Sequence, residues 1–246
     1  MRAVSVADRP ELAESVPGIL AARWPRFVLE GHPGHDVDLA ELALGQVPEH
    51  QVVLLDDADE PLGVGLSVPI SWDGTAAGLP AGWDGAVTAA ADRVRHRRTP
   101  TTVCALSITT TEAGAGRGLS VHLIEALKRT AARAGATRLV APVRPIRAQE
   151  YPLIPLESYL RWRTRDGQVF DPWMRMHLRL GGTMMAVTFP SMTITGTVTE
   201  WQSWTGLELP GSGAFVIPGG LAPLLVDEDV DQGVYQEPNV WVVHHT

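Results

Sequence analysis

Residues 101–145 read TTVCALSITTTEAGAGRGLSVHLIEALKRTAARAGATRLVAPVRP, and the order of patterns in this stretch decides the fold. TTVCALSITT is an uncharged run rich in β-branched residues, as expected of a central strand. TEAGAGRGLS is a glycine-rich turn. In VHLIEALKRTAARAG, together with the preceding Leu119, apolar positions 119, 123, 126, 127 and 131 fall on one helical face, and Gly135 is placed to close the helix. TRLVAPV then reads as a second strand. Strand, turn, helix and strand in this order make a crossover unit with two parallel strands, which implies an α/β fold.

Working outward, QVVLLDDADEPLGVGLSVPISW predicts an antiparallel hairpin from Gln51 to about Trp72, with Pro69 at an edge or an end. Upstream, Arg2 to Val6 alternate as a short strand, and an apolar-periodic helix follows, interrupted at Pro17-Gly18. A turn at Pro33-Gly34 precedes a short helix from Asp36 that ends at Gly45 and Pro48. Two segments read as insertions: about 73–100, with an Ala-rich helix and the basic run Arg93 to Arg98, and about 145–170, rich in Pro, Arg and aromatics. DPWMRMHLRLGG is a short helix with Asp171 as N-cap, Pro172 at its first position and Gly181-Gly182 at its end. The rest is β-patterned, with Trp201, Trp204 and Trp241 read as sheet-packing residues. Residues from about 206 to 246 form an extension that wraps the sheet or builds a homodimer contact.

The chain has 246 residues, enough for one large domain, and the element order favours a single one. With 45% hydrophobic and 20% charged residues it has the composition of a folded globular protein. A net charge of −8 argues against general binding to nucleic acid or anionic membrane, while arginines clustered between Arg144 and Arg165 leave room for an anionic small molecule. The single cysteine, Cys104, excludes an intramolecular disulfide framework, and the start MRAVSVADRP lacks the apolar core of a signal peptide, so the expected location is cytoplasmic. His32, His35 and Asp36 offer three ligand-type side chains without a matching second pair, and no metal site is expected.

The strongest chemical signal is the turn Ala113-Gly114-Ala115-Gly116-Arg117-Gly118-Leu119-Ser120. Small residues leave backbone N–H groups uncovered at a helix N-terminus, where a pyrophosphate is stabilised; a tight strand-to-helix connection is the plainer reading. No Gly-Lys-Ser/Thr follows, so the Walker pattern is absent, and the preceding hairpin disfavours a dinucleotide-binding Rossmann unit.

The element order and this turn resemble the GNAT superfamily of acyl-CoA-dependent N-acyltransferases, whose pyrophosphate loop reads Gln/Arg-x-x-Gly-x-Gly/Ala. Gly116 and Gly118 match its glycines, and Ala113 stands where the family has a polar residue. DPWMRMHLRLGG resembles the family's Asn-Pro-Ala-x-x-x-Tyr-x-x-x-Gly-Phe helix, with Asp171 at the Asn position and His177 at the Tyr position. YPLIP, FDPW, LRLGG and EPNVWVVH resemble a bacterial subgroup also found fused to nitrilase-type amidohydrolases. The resemblance implies a GNAT-like mixed sheet flanked by helices, carrying the two insertions and the β-rich tail. It implies acetyl-CoA or another acyl-CoA as donor, with the pyrophosphate at Gly114, Ala115, Gly116, Arg117, Gly118, Leu119 and Ser120 and the pantetheine arm along Leu106, Ile108 and Thr109.

Four residues are catalytic candidates. His177, where the family commonly has a proton-donating Tyr, is an acid or base, or a packed helix residue. Glu112, at the end of the central strand, is a general base or an exposed turn carboxylate. Asp171 is a cap or a catalytic carboxylate. Tyr151 lines an acceptor pocket or packs the insertion down. The function expected is acyl transfer to an amine of a small molecule. Two alternatives stay open: a hydrolase acting on an NAD-like, pyrophosphate-containing intermediate without a cofactor, and a non-catalytic ligand-binding domain.

Overall fold

The computed structural model describes residues 1–246. Its strands in chain order are β1 (Arg2–Ser5), β2 (His32–Pro33), β3 (Val52–Leu55), β4 (Pro61–Ile70), β5 (Thr102–Thr110), β6 (Arg138–Val143), β7 (Thr183–Gly196), β8 (Gly213–Phe215), β9 (Leu224–Asp227) and β10 (Gln232–His245). The helices are α1 (Val16–Ala21), α2 (Arg26–Glu30), α3 (Gly82–Arg95), α4 (Leu119–Arg133), α5 (Leu156–Tyr159), α6 (Pro172–Arg179) and α7 (Val198–Thr205). In space the sheet runs β1-β3-β4-β5-β6-β10-β7-β2, with β8 and β9 added at one end of β10. Every pairing is antiparallel except β5 with β6.

The crossover unit forms as its pattern implied. Side chains alternate along β5, so Val103 and Ala105 pack with Leu127 and Leu139 under α4, while Cys104 faces Trp83, Ala86 and Val87 of α3 on the other side. All five apolar positions read for α4 are buried. Because β10 alternates in the same way, Val240 and Val242 join the α4 side, and Trp241 and Val243 join the α3 side.

Two features of β5 shape the molecule. Its register with β4 slips between Ser107 and Ala105, so Leu106 is an extra, bulged residue that bends the strand. Its parallel ladder with β6 holds only Val103↔Leu139 and Cys104↔Val140. Beyond these pairs β5 stays with β4 and β6 stays with β10, so the two central strands part.

Local expectations are refined or corrected. The N-terminal helical stretch changes type beside Pro17-Gly18: a 3-10 helix over Pro10–Ser15 passes into α1 at Val16, with Pro17 in the first turn of α1, where a missing N–H costs nothing; a second break falls at Pro25 before α2. The helix expected from Asp36 is a π-helical turn over Glu41–Gln46 that runs through Gly45, and Asp38, not Asp36, accepts from the Glu41 N–H at 2.9 Å. Of the two alternatives for Pro69, the end holds: it is the residue before the last of β4, an internal strand.

The C-terminal region differs most. Residues 206–246 do not simply wrap the sheet: β10 lies inside it, between β6 and β7. Trp201 and Trp204 are on a helix, not on strands, because Thr197 and Glu200 form a reciprocal capping box that starts α7. Trp201 is fully buried and donates its indole N–H to the Gly233 carbonyl at 3.0 Å. Replacing Trp201 with Ala should therefore cost about 3–5 kcal/mol, read as a lowered urea midpoint, through the cavity and the lost hydrogen bond together.

Candidate active site

Where β5 and β6 part, they leave a cleft of about 550 Å³. One wall is β5 from Ala105 to Thr110, which includes Leu106, Ile108 and Thr109 of the expected pantetheine edge; the other is Ala141, Pro142 and Val143 of β6. Two tryptophans pin neighbouring elements to the open part of β5. The Trp83 indole N–H donates to the Leu106 carbonyl at 3.1 Å, and the Trp24 indole N–H donates to Thr109 Oγ1 at 3.1 Å.

At the end of β5 the chain makes the glycine-rich turn into α4, and Gly116 and Ser120 from it line the cleft. Gly114 does not reach the cleft. A Cβ there would come within 2.4 Å of the Leu62 carbonyl oxygen, so the position has no room for a side chain. Gly118 is the N-cap of α4 at a φ of 69° and brings no capping side chain, so the first-turn N–H groups of α4 have no side-chain partner and suit an anion. The Leu119 side chain is an anchor, buried with Leu54, Leu62 and Leu123, while its backbone N–H belongs to that first turn. Ala115 and Arg117 are exposed on the outer side of the turn, where the Arg117 guanidinium donates to the Ala113 carbonyl at 3.4 Å. Gly116 and Gly118 thus leave open space beside a helix start that has no side-chain cap, an arrangement with room for an anionic group.

Of the four catalytic candidates, the cleft contains His177 alone. The ring is buried on α6, with the Trp173 ring edge-on at 5.1 Å and Nδ1 at 2.9 Å from Nε2 of His244. Burial, and then the proximity of His244, pulls the His177 pKa from 6.5 to about 3, so the ring is neutral at physiological pH. His244 is shifted in the same direction, chiefly by burial.

The other three lie elsewhere. Glu112 is exposed in the turn, outside the cleft, and its backbone carbonyl accepts from the Ala115 N–H. Asp171 is buried, and both of its oxygens are taken. Oδ1 caps α6 by accepting from the N–H groups of Trp173 and Met174 at 2.9 and 3.0 Å; Oδ2 accepts from the Arg147 N–H at 2.9 Å and the Tyr159 hydroxyl at 2.8 Å. It is a tie between insertion and helix, in place of a catalytic carboxylate. Tyr151 packs edge-on to Trp162 and Phe170 at 4.9 and 5.9 Å and does not line the cleft, although Ile146 and Gln149 of the same segment do.

The structure adds a constellation that the sequence reading did not assemble. Glu237 and Asn239 of β10 and Arg144, just after β6, all line the cleft. Glu237 is 1% exposed, and its two oxygens accept from Arg144 Nε at 3.0 Å each, from the Tyr235 hydroxyl at 2.7 Å and from Asn239 Nδ2 at 3.0 Å. Burial, and next the Glu237 charge, raise the Tyr235 pKa and keep its phenol a donor. Asn239 Oδ1 accepts from the Ser191 hydroxyl at 2.6 Å, and Ser191 Oγ in turn accepts from the Trp83 N–H at 2.9 Å. The signals available in the sequence were Arg144 at the start of the arginine cluster and the polar Glu-Pro-Asn ahead of the apolar residues 240–243.

Two outcomes follow. Asp171→Ala should destabilise the fold by about 2–4 kcal/mol in denaturant titration, since it removes a helix cap and leaves the buried Tyr159 hydroxyl and the Arg147 N–H without their acceptor. The buried neutral His177 also makes stability pH-dependent. Below pH 6.5 the unfolded chain binds a proton that the folded one refuses until about pH 3, so stability is lost as pH falls through this window. At pH 5.5 the loss approaches about 1.4 kcal/mol for this group, and His177→Gln should flatten the slope of melting temperature against pH.

No protein-family model matches the chain. Among curated proteins it is 30% identical to the arginine N-acetyltransferase avaD of Aspergillus versicolor, over 98% of this chain and 92% of that protein. Among solved structures it is similar to the GphF GNAT-like decarboxylase in complex with isobutyryl-CoA, with a TM-score of 0.59 and 18% identity over 100% of this chain and 99% of that one. It is also similar to the loading GNATL domain of CurA from Lyngbya majuscula, with a TM-score of 0.56 and 15% identity over 99% and 96% of the two chains. The structural likenesses show the shared fold, and nothing in any of the three comparisons points to the nucleotide hydrolase or the non-catalytic binding domain. With the parted central strands, the glycine turn at a helix start and a relative matched over nearly its whole length, the chain belongs to the GNAT superfamily and is an acyl-CoA-dependent enzyme that acylates an amine.

Proposed function

We propose that the donor is acetyl-CoA and that the acceptor is a small cationic amine of the arginine or agmatine kind. The observation that carries this reading is that one cavity holds the open edge of β5, the glycine turn, His177 and Glu237 together. In this reading the N-terminal end of α4 and the Thr111–Gly118 turn form the pyrophosphate-binding loop. The thioester lies along Leu106 to Thr109, with its carbonyl carbon in the parted region. The acceptor enters from the side of Trp24 and Trp83, two indole rings that suit a cation, with the buried Glu237 carboxylate on the same cleft.

The donor supplies an activated acyl carbon: the acceptor nitrogen forms a C–N bond to it, the C–S bond breaks, the nitrogen gives up a proton and the thiolate takes one. The chain contributes orientation and proton handling. His177 is neutral and a weak base, so with one ring nitrogen bonded to His244 it does not rest protonated; it holds the proton only transiently on its way from the acceptor nitrogen to the leaving sulfur. Glu237 is fully hydrogen-bonded and does not act as the base; it holds Arg144 and Asn239 in place along the wall. The relative's name, an arginine N-acetyltransferase, supports the acceptor class.

The test is release of free CoA thiol from acetyl-CoA with arginine and with agmatine. Thiol release should require both substrates, and His177→Phe should lower kcat by about 10²–10⁴-fold, the range for loss of a proton-transfer group. Full turnover in His177→Phe would remove His177 from the mechanism, and thiol release independent of any amine would overturn the acceptor assignment.

A further inference from the structure

His177 and His244 are buried side by side, and only the first lines the cleft. They come from α6 and from the end of β10, and their rings are fixed from several directions. His177 Nδ1 is 2.9 Å from His244 Nε2. The Trp173 ring stands at 90° to that of His177, with centroids 5.1 Å apart. Gly182, just after α6, lies against His244: a Cβ there would come within 2.7 Å of His244 Cε1, so the ring has its place because this residue is glycine. The Gly182 N–H also donates to the His177 carbonyl at 2.9 Å, which ties one glycine to both histidines.

A hydrogen bond between two neutral imidazoles fixes both tautomers at once, because the nitrogen that donates is protonated and the one that accepts is bare. His177 Nε2 has no partner in the protein and is not sealed in, so in a ring that lines the cleft it is the nitrogen open to a substrate. His244 Nδ1 is sealed in and has no full hydrogen bond. Burial, and then Lys128 on α4, keep the His244 ring neutral; the Leu180 carbonyl at the end of α6 and, after it, Glu125 on α4 favour a proton on it. With Nε2 turned to His177, Nδ1 is the nitrogen left to carry that proton. A bare nitrogen there would set its lone pair against the carbonyl oxygen. His244 Nε2 is then the bare one and accepts from His177 Nδ1, which leaves His177 Nε2 without a proton.

Resting on the reading of His177 as the proton carrier, we propose that His244 is its positioning residue, holding the ring with Nδ1 protonated and a bare Nε2 open to the cleft. The proton of the acceptor nitrogen bonds to Nε2, the ring is briefly an imidazolium while Nδ1–H stays donated to His244, and the same proton leaves Nε2 for the thiolate sulfur. His244 keeps its own proton throughout. A carboxylate in its place would favour the charged ring and hold the proton there; a neutral acceptor orients the ring without doing so.

Two measurements test this. In protein labelled with ¹⁵N at its histidine rings, the nitrogen shifts report which nitrogen carries the proton, and the signals lost in His177→Gln identify that residue. At neutral pH, Nδ1–H is expected for His177, and Nε2–H would overturn the proposal whether or not the enzyme turns over. The second measurement is kinetic. In the thiol-release assay His244→Phe, which keeps a ring against Gly182, should lower kcat about 10²-fold and leave KM for both substrates within about twofold. His244→Gln, whose side-chain oxygen can accept from Nδ1, should recover at least about tenfold of that loss. Unchanged kcat in His244→Phe, a loss carried by KM, or equal losses in the two variants would sink the positioning role. Nδ1–H on His177 in a protein that releases no thiol with either amine sustains the arrangement of the pair while overturning the proposed function, so the two readings fail separately.

Discussion

The parallel ladder between β5 and β6 lasts for two residue pairs, and the rest of the molecule is arranged around the place where it stops. Backbone hydrogen bonding forces the choice. β5 keeps its antiparallel partner β4 as far as Thr110, β6 keeps β10 as far as Val143, and the bulge at Leu106 turns β5 away at the point where the parallel pairing would continue. Two strand edges are thereby left facing each other across a gap. An open edge inside a sheet exposes unpaired backbone groups, and two tryptophan side chains, Trp24 and Trp83, cover part of it by donating to Thr109 and Leu106. The gap is the cleft, and the same two tryptophans line it.

Electrostatics inside the cleft follow from burial. An isolated carboxylate at the position of Glu237 would be prohibitively costly, so it is surrounded by Arg144, Tyr235 and Asn239, and Asn239 is fixed in turn by Ser191. The histidine on the opposite side is kept neutral by burial and faces a second neutral histidine. The result is a wall that is polar and rigid but contains no uncompensated buried charge. This suits a reaction whose rate depends on orientation and on passing one proton.

How much was legible in the sequence varied with the range of the interaction. The crossover unit at 101–145 was readable because its signals are local: a β-branched run, a glycine turn, a helical stripe and a closing glycine. The Asp171 cap was readable for the same reason, although the sequence could not show that its second oxygen is taken by Arg147 and Tyr159. Helix α7 carried a local signal that was passed over, the Thr197/Glu200 capping box, because its tryptophans and β-branched residues resemble strand composition. His177 was legible only through its place in a helix motif, and its partner His244 is 67 residues away.

The sequence by itself therefore determined the α/β class, the order of strands and helices through the crossover, and the glycine turn at the start of α4, since each depends on periodicity and on neighbours a few residues apart. Only the tertiary structure decided that the last strand lies between β6 and β7, that Glu237 meets Arg144 across 93 residues, and that Glu112, Asp171 and Tyr151 stay out of the cleft. The physical reason is that strand pairing brings distant segments together through backbone hydrogen bonds that any sequence can make. Which side chains then share a cavity is set by register and burial, and neither is a property of any one segment.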